Sequence, residues 1–254
     1  MKLIVVIPAF NEEQSIVSVV KGVPQEIKRI DTTEILVVDD GSLDRTAEFA
    51  KEAGANYVYK FRNNMGVVHA FQMGIDKALE NGADIIVNID ADRQFNPSEI
   101  KNLVKPIVEG KADVVLGSRF IGRSYHQVPV KKRIGNLLIS LLVSILSGKR
   151  IRDTQCGFRA LTRDAAKRIK LTGLFTYTQE MILSLSFQRV KIVEVPISVK
   201  YYKNRSSRVV KNIPTYALKV IGIMISAIIQ QFIFTLLGIG FITITIILVL
   251  SLIL

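Results

Sequence analysis

The strongest constraint on this chain is that its short, largely apolar runs end in polar turns that carry carboxylates. Residues 3–7, 35–38 and 85–89 are continuous runs rich in Val and Ile. That is the pattern of strands buried on both faces of a parallel sheet. Helix-like stretches at 12–20, 46–53 and 67–79 alternate with them, so the pattern predicts an α/β fold. Residues 114–116, ended by Gly117, read as a further strand, and 194–199 as another. Three polar turns leave the first three runs. They contain Pro8, Ala9, Phe10, Asn11, Glu12 and Glu13; Val38, Asp39, Asp40, Gly41 and Ser42; and Asp90, Ala91, Asp92, Arg93 and Gln94. In an open α/β sheet, ligands bind outside those carboxyl ends.

The far end of the chain obeys a different rule. Residues 220–254 hold no Asp, Glu, Lys or Arg, giving 35 uncharged positions in a row. A bilayer core of about 30 Å takes about 20 helical residues, so one crossing fits and two do not. The pair Gln230 and Gln231 marks an interface, with 232–254 expected to span and 213–229 to lie along the headgroups. Residues 1–211 form the expected catalytic domain. Within it, 134–146 is apolar nearly all round and flanked by Lys131, Lys132, Arg133, Lys149 and Arg150. It is too short to cross, so an interfacial helix is expected, the alternative being an ordinary buried helix.

Charge supports this arrangement. Residues 119–211 carry 20 Lys and Arg against 4 Asp and Glu, whereas residues 1–118 carry 13 against 18. Basic charge beside a membrane segment follows the positive-inside rule, which predicts a single-pass protein with its catalytic domain in the cytoplasm. The basic region has no aromatic stacking pattern or nucleic-acid reading module, so no nucleic-acid partner is expected. A single cysteine, Cys156, excludes an internal disulfide, suits a reducing compartment and reads as a small apolar filler. The apolar run at 3–10 is too short for a signal peptide and is followed at once by Asn11, Glu12 and Glu13.

The chemical signal is Asp90-Ala91-Asp92 at a strand end. At such a turn two carboxylates can converge on one cation. Mg²⁺ or Mn²⁺ takes oxygen ligands from one or two carboxylates and completes its shell with phosphates.

Together, the three turns resemble the family two inverting glycosyltransferases of the GT-A fold, in the dolichyl-phosphate mannose and glucose synthase branch. The resemblance runs from Lys2 to about Arg208. It implies a Rossmann-like, mostly parallel sheet flanked by helices, a nucleotide-sugar donor and a dolichyl or other polyprenyl phosphate acceptor. Pro8, Ala9, Phe10, Glu12, Val38, Asp39, Asp90 and Ala91 would then bind the nucleotide sugar, and Asp92 and Gln94 the metal. Arg119, in Gly117-Ser118-Arg119, would face the phosphates, and Asp153 to Arg159 matches the acceptor-side signature. Glu180 stands where the family keeps a carboxylate. Arg133, Arg205 and Arg208, with Arg119, would reach the acceptor phosphate, so that Asp92, Arg119, Glu180 and Arg205 form the expected catalytic set. A phosphomonoester has a second pKa of about 6, so the acceptor oxygen needs no general base, and Glu180 is expected to orient groups instead.

The chain departs from the family at several positions. The turn Asn-x-Gly-Lys-Gly-x-Ala is Asn64-Met65-Gly66-Val67-Val68-His69-Ala70 here, Phe10 replaces a tyrosine, Thr178 replaces an aspartate, and Ser206-Ser207-Arg208 replaces Gly-x-Ser-Lys. The segment around Phe175 to Glu180 looks more like the archaeal members that charge a lipid with a UDP-linked sugar than like the mannose enzymes, so the resemblance favours a UDP-linked donor. The rival functions lack their signatures. There is no Trp for the Gln-x-x-Arg-Trp of processive synthases, no Gly-x-Gly-x-x-Gly after the first strand, and no P-loop. A non-catalytic membrane adaptor and a transferase with a different acceptor stay open at this point.

Overall fold

The computed structural model describes residues 1–122, 128–169, 171 and 176–202, together with 221, 222, 224–226 and 229. The seven strands are β1 (Lys2–Ala9), β2 (Thr32–Asp39), β3 (Tyr57–Lys60), β4 (Ile85–Asn88), β5 (Val114–Ser118), β6 (Arg159–Thr162) and β7 (Ile192–Pro196). They form one sheet in the order β3-β2-β1-β4-β6-β5-β7. Strands β1, β2, β3 and β4 pair in parallel, as do β5 and β7, and β6 runs antiparallel to β4 and β5 on either side. The expected α/β architecture with a mostly parallel sheet is therefore present.

Alternation along the strands builds two cores. Ile4 and Val6 of β1 face one side, where they meet Phe71 and Ile75 of α3 (Val67–Glu80) and Met181 of α7 (Thr178–Phe187). Leu3, Val5 and Ile7 face the other, where Val19 of α1 (Ile16–Gly22) and Leu103 of α4 (Ile100–Val108) cover them. Helix α3 lies so close to β1 that a Cβ on Gly74 would sit 2.3 Å from Val6 Cγ1. The short helices α2 (Thr46–Glu52) and α6 (Arg163–Lys167) complete the elements around the sheet.

Several boundaries differ from the sequence reading. Helix α1 begins at Ile16 rather than at residue 12, because Asn11 takes a left-handed φ of 50° and the Glu12 carbonyl accepts from Ser15 N–H and Ile16 N–H. The expected strand at 194–199 is β7, shifted toward the N-terminus, and Val199 instead makes an isolated bridge to Phe95. Strands β3 and β6 were not expected; each has only four residues.

Helix α5 (Val130–Ser147) contains the 134–146 segment and is inside-out. Ile134, Leu137, Leu138, Leu141, Leu142 and Ile145 are exposed, whereas Asn136 and Ser140 are buried. The buried-helix alternative does not describe it. Among the described residues no helix is long and apolar enough to cross a membrane. The expected spanning segment at 232–254 lies outside the described residues, as does most of 213–229.

Candidate active site

The first two polar turns are laced together by hydrogen bonds. Asn11 N–H donates to Ser42 Oγ at 2.8 Å, Leu43 N–H to Asn11 Oδ1 at 2.9 Å, and Glu12 N–H to Thr46 Oγ1 at 2.7 Å. Ser15 donates its hydroxyl to the Glu12 carboxylate. Asp39 is fully buried at the end of β2. Its Oδ1 accepts from Ser42 N–H at 2.8 Å, and its Oδ2 lies 3.4 Å from Lys60 Nζ. Pro8 and Phe10 are half-buried, and Ala9 and Val38 buried, along the same edge.

Asp40 fastens the third side of this pocket. Its carboxylate accepts from Met65 N–H at 2.7 Å, from Gly66 N–H at 2.9 Å and from Asn64 Nδ2 at 3.1 Å. These groups sit where α3 begins, so Asp40 satisfies donors at the helix start. Gly41 is required by the same contact. Its φ is +74°, and a Cβ there would stand 2.4 Å from the Asn63 carbonyl carbon.

The third turn carries the expected metal residues. Ala91 is buried, Asp90, Asp92 and Gln94 are half-buried, and Asp92 Oδ1 accepts from Gln94 N–H at 3.0 Å. Burial pushes the Asp90 carboxyl up to about 7; Asp92 and Glu12 raise it further, and Arg119 and Arg159 oppose them. Asp92 and Glu12 thus add negative charge around a desolvated Asp90 carboxyl, a setting that a divalent cation would relieve. Among the described residues no three His, Cys, Asp or Glu side chains form a closed metal site. Asp92 and Gln94, the two residues expected to meet a cation, stand two positions apart on this turn.

The acceptor-side signature is brought against this turn by backbone rather than by side chain. A Cβ on Gly157 would lie 2.7 Å from Asp90 Oδ1, so a side chain there would push the carboxylate aside. Asn88 Nδ2 donates to Gly157 O at 2.8 Å and holds the approach. Arg159 is fully buried and spends its guanidinium on the carbonyls of Cys156, Thr154 and Thr178 at 2.6, 3.0 and 2.9 Å. Cys156 is buried, and desolvation pushes its thiol up to about 12, so it is the inert filler expected.

Arg119 leaves β5 and grips Asp153 in a two-pronged pair, Nε to Oδ2 at 2.7 Å and Nη2 to Oδ1 at 2.8 Å. Burial works against the guanidinium charge, but Asp153 outweighs it and holds Arg119 well above its ordinary value. Lys132, on the first turn of α5, lies 4.4 Å from the Tyr201 ring centre; burial and then Arg119 lower its pKa, while Asp92 raises it. Arg133 donates from Nε to Val128 O at 2.7 Å, and Glu180 is buried at the start of α7. Arg205 and Arg208 lie outside the described residues.

Asp90, Asp92, Glu12, Arg119 and the 153–159 segment are thus gathered at one sheet edge. Sequence reasoning missed Lys132, Tyr201 and the partnership of Arg119 with Asp153. Lys132 had been read only as part of a basic flank. The one available signal was that Arg119 and Asp153 both fall in motifs of opposite charge.

Known proteins resemble this chain over most of its length. An uncharacterized protein of Methanocaldococcus jannaschii is 34% identical over 211 residues, covering 82% of this chain and 85% of that protein. A UDP-N-acetylglucosamine–dolichyl-phosphate N-acetylglucosaminyltransferase of Methanococcus voltae is 31% identical over 224 residues, covering 80% of this chain and 87% of its own. Among solved structures, glucosyl-3-phosphoglycerate synthase from Mycobacterium tuberculosis, in complex with Mn²⁺, uridine diphosphate and glucosyl-3-phosphoglycerate, shares the fold. It has a TM-score of 0.66 and 22% identity, and covers 89% of this chain and 79% of that one. Residues 4–170 match Glycosyl transferase family 2, most of the chain including every turn described above as far as Arg159, so the chain is a glycosyltransferase and belongs to that family.

Proposed function

We propose that the protein transfers a hexose or N-acetylhexosamine from a nucleotide sugar, UDP-linked in preference to GDP-linked, to dolichyl or another polyprenyl phosphate, with inversion at the anomeric carbon. The observation that carries this reading is α5. It presents six exposed Leu and Ile side chains on one helix and places Lys132 beside Arg119 and Asp92 on the same helix. An apolar outer face next to an anion-handling site suits an acceptor with a lipid tail and a phosphate head. The Methanococcus voltae relative, named for UDP-N-acetylglucosamine and dolichyl phosphate, supports the same pairing.

An anionic oxygen of the acceptor phosphate attacks the anomeric carbon as the bond from that carbon to the nucleoside diphosphate breaks. The acceptor is already ionised near neutral pH, so no side chain has to take a proton. Asp92 and Gln94 would hold Mg²⁺ or Mn²⁺, which supplies neutralising charge to the leaving diphosphate. The donor base and ribose fit along Pro8, Ala9, Phe10, Glu12, Val38 and Asp39, with Asp90 and Ala91 below the phosphates. Arg119, braced by Asp153, offers a guanidinium held in one orientation, and preorganised positive charge of this kind favours the transition state. Glu180 orients groups around the acceptor.

The catalytic domain is assigned to the cytosolic membrane face, with α5 resting on the leaflet and one C-terminal crossing at 232–254. The basic balance of residues 119–211 supports this orientation. The test is to incubate the full chain with Mg²⁺ or Mn²⁺, a short polyprenyl phosphate and a panel of UDP- and GDP-sugars, and to analyse the lipid by mass spectrometry. A glycosylated lipid monophosphate is expected with a UDP-sugar. No product with any donor, alongside an active control enzyme, would overturn the reading in favour of a transferase with a different acceptor.

A further inference from the structure

Residues 151–154 have no regular secondary structure, yet their backbone is almost fully bonded, and nearly all of its partners are side chains. Ile151 exchanges two bonds with Ser144, donating to its Oγ at 3.0 Å and accepting from it at 3.1 Å. Arg152 O accepts from Asn136 Nδ2 at 2.6 Å, and Thr154 N–H donates to Ser140 Oγ at 3.3 Å, whose hydroxyl also meets Thr154 Oγ1 at 3.1 Å. From the other side, Glu194 of β7 accepts from Arg152 N–H at 3.0 Å and from Asp153 N–H at 2.9 Å. Thr154 O accepts from Arg159.

Asn136, Ser140 and Ser144 are spaced four apart, so they form one stripe along α5. It is the stripe that faces the protein, where a helix of this composition would ordinarily place Leu and Ile. Buried polar groups persist where they are bonded, and Asn136 Nδ2, Ser140 Oγ and the half-buried Ser144 Oγ are all bonded to a single four-residue segment. The product of that bonding is the position of Asp153, which takes three bonds from Arg119: backbone N–H at 3.0 Å and the two side-chain bonds described above.

We infer that Asn136, Ser140 and Ser144 are positioning residues for the transfer. They fix the 151–154 segment, and through Asp153 they set the Arg119 guanidinium at the site, so that α5 and the arginine move as one body. The inference rests on the reading of Arg119 as a group that meets the reacting phosphates. Glu194 is the opposite jaw of the same clamp.

The test uses the full chain in detergent, with two readouts. The first is hydrogen–deuterium exchange at a peptide covering residues 118–120, which contains the Arg119 amide bonded to Asp153. The second is sugar transfer to a short polyprenyl phosphate. In a Ser140→Ala, Ser144→Ala double variant, exchange at that peptide is expected to speed up about ten-fold, the size of one or two lost hydrogen bonds. The turnover number should fall by a similar factor while KM for the nucleotide sugar stays within about two-fold. Ser144→Thr keeps the hydroxyl at a half-buried position and should match wild type in both readouts, which a packing defect would not allow. If the double variant does not fold, Ser144→Ala alone should move both readouts in the same direction by less. Unchanged exchange at 118–120, or Ser144→Thr behaving like Ser144→Ala, overturns the inference. Wild-type chain that makes no lipid product counts against the transferase reading alone, because exchange needs no acceptor.

Discussion

Helices α3 and α5 contribute to the same core, α3 against the sheet and α5 against α7, yet they are built in opposite senses. Helix α3 turns Val68, Phe71, Ile75 and Ala78 inward, with Phe71 stacked 3.8 Å from Tyr177. Helix α5 commits Ile139 and Val143 to that core, devotes Asn136 and Ser140 to its inward face, and leaves six large apolar side chains outside. Burial of apolar surface explains α3 completely. For α5 it explains only part, because exposed Leu and Ile in one contiguous patch stabilise nothing in water. One helix is shaped by the sheet beneath it, whereas the other packs on α7 and the 151–154 segment and leaves its apolar face outside.

The largest expected effect sets the scale. Phe71→Ala should cost about 3–5 kcal/mol by chemical denaturation, since it removes a fully buried ring and its stacking on Tyr177 from the α3 core. A loss below about 1 kcal/mol would mean that α3 is not the firmly packed helix of the pair.

A smaller effect concerns the charge enclosed near the two helices. Tyr177, stacked on α3, offers Asp90 no positive charge, and burial is the leading cause of its raised pKa. The folded carboxyl therefore keeps its proton up to about pH 7, whereas the unfolded one loses it near pH 4. The folded state binds that proton more tightly, so without divalent ions stability should fall as pH rises from about 4 to about 7, then level off. After allowance for the exposed part of Asp90, the drop is about 1–2 kcal/mol. Asp90→Asn should flatten this slope in denaturation curves taken at pH 5 and pH 8. A slope that survives the substitution would assign it to another group.

The smallest effect sharpens the contrast most. Leu141→Ala on the outer face of α5 should change stability by no more than about 0.5 kcal/mol, although the same kind of truncation in α3 is severe. Leu141→Cys, labelled with a fluorophore in vesicles containing brominated lipid, should be quenched. A label at Gln72→Cys on α3 should not. Equal quenching at both positions, or at neither, would remove the lipid surface from the account of α5.

These helices also show what could be read in the sequence. Strand and helix alternation was legible because buried parallel strands are apolar end to end, and β1, β2, β4 and β5 fell where the runs of Val and Ile stand. The turn residues Asp39, Asp90 and Asp92 were legible because they interrupt those runs abruptly. Strand β6 was not, since its four residues begin with Arg159, a buried charge that no propensity assigns to a strand. The clamp on 151–154 was equally hidden. Ser140 and Ser144 look like minor polar breaks in an apolar helix until the structure brings residues 151 and 154 against them. Long-range hydrogen bonds leave no periodicity behind, so only motifs already tied to chemistry could be placed beforehand.

The reversed direction of β6 has a consequence for how such a chain can vary. Its neighbours β4 and β5 leave the sheet at the ligand edge, whereas β6 enters there, paired through Arg159 with both Asn88 and Leu116. Whatever precedes β6 is therefore pinned at the chemistry, and whatever follows it emerges at the opposite rim. Residues added between Thr162 and α6 would fall at a rim remote from the substrate. The same addition between Asp153 and Phe158 would shift the stretch that meets Asp90. A lineage could thus acquire new appendages on the rear rim without disturbing transfer, while the entry to β6 would keep its length.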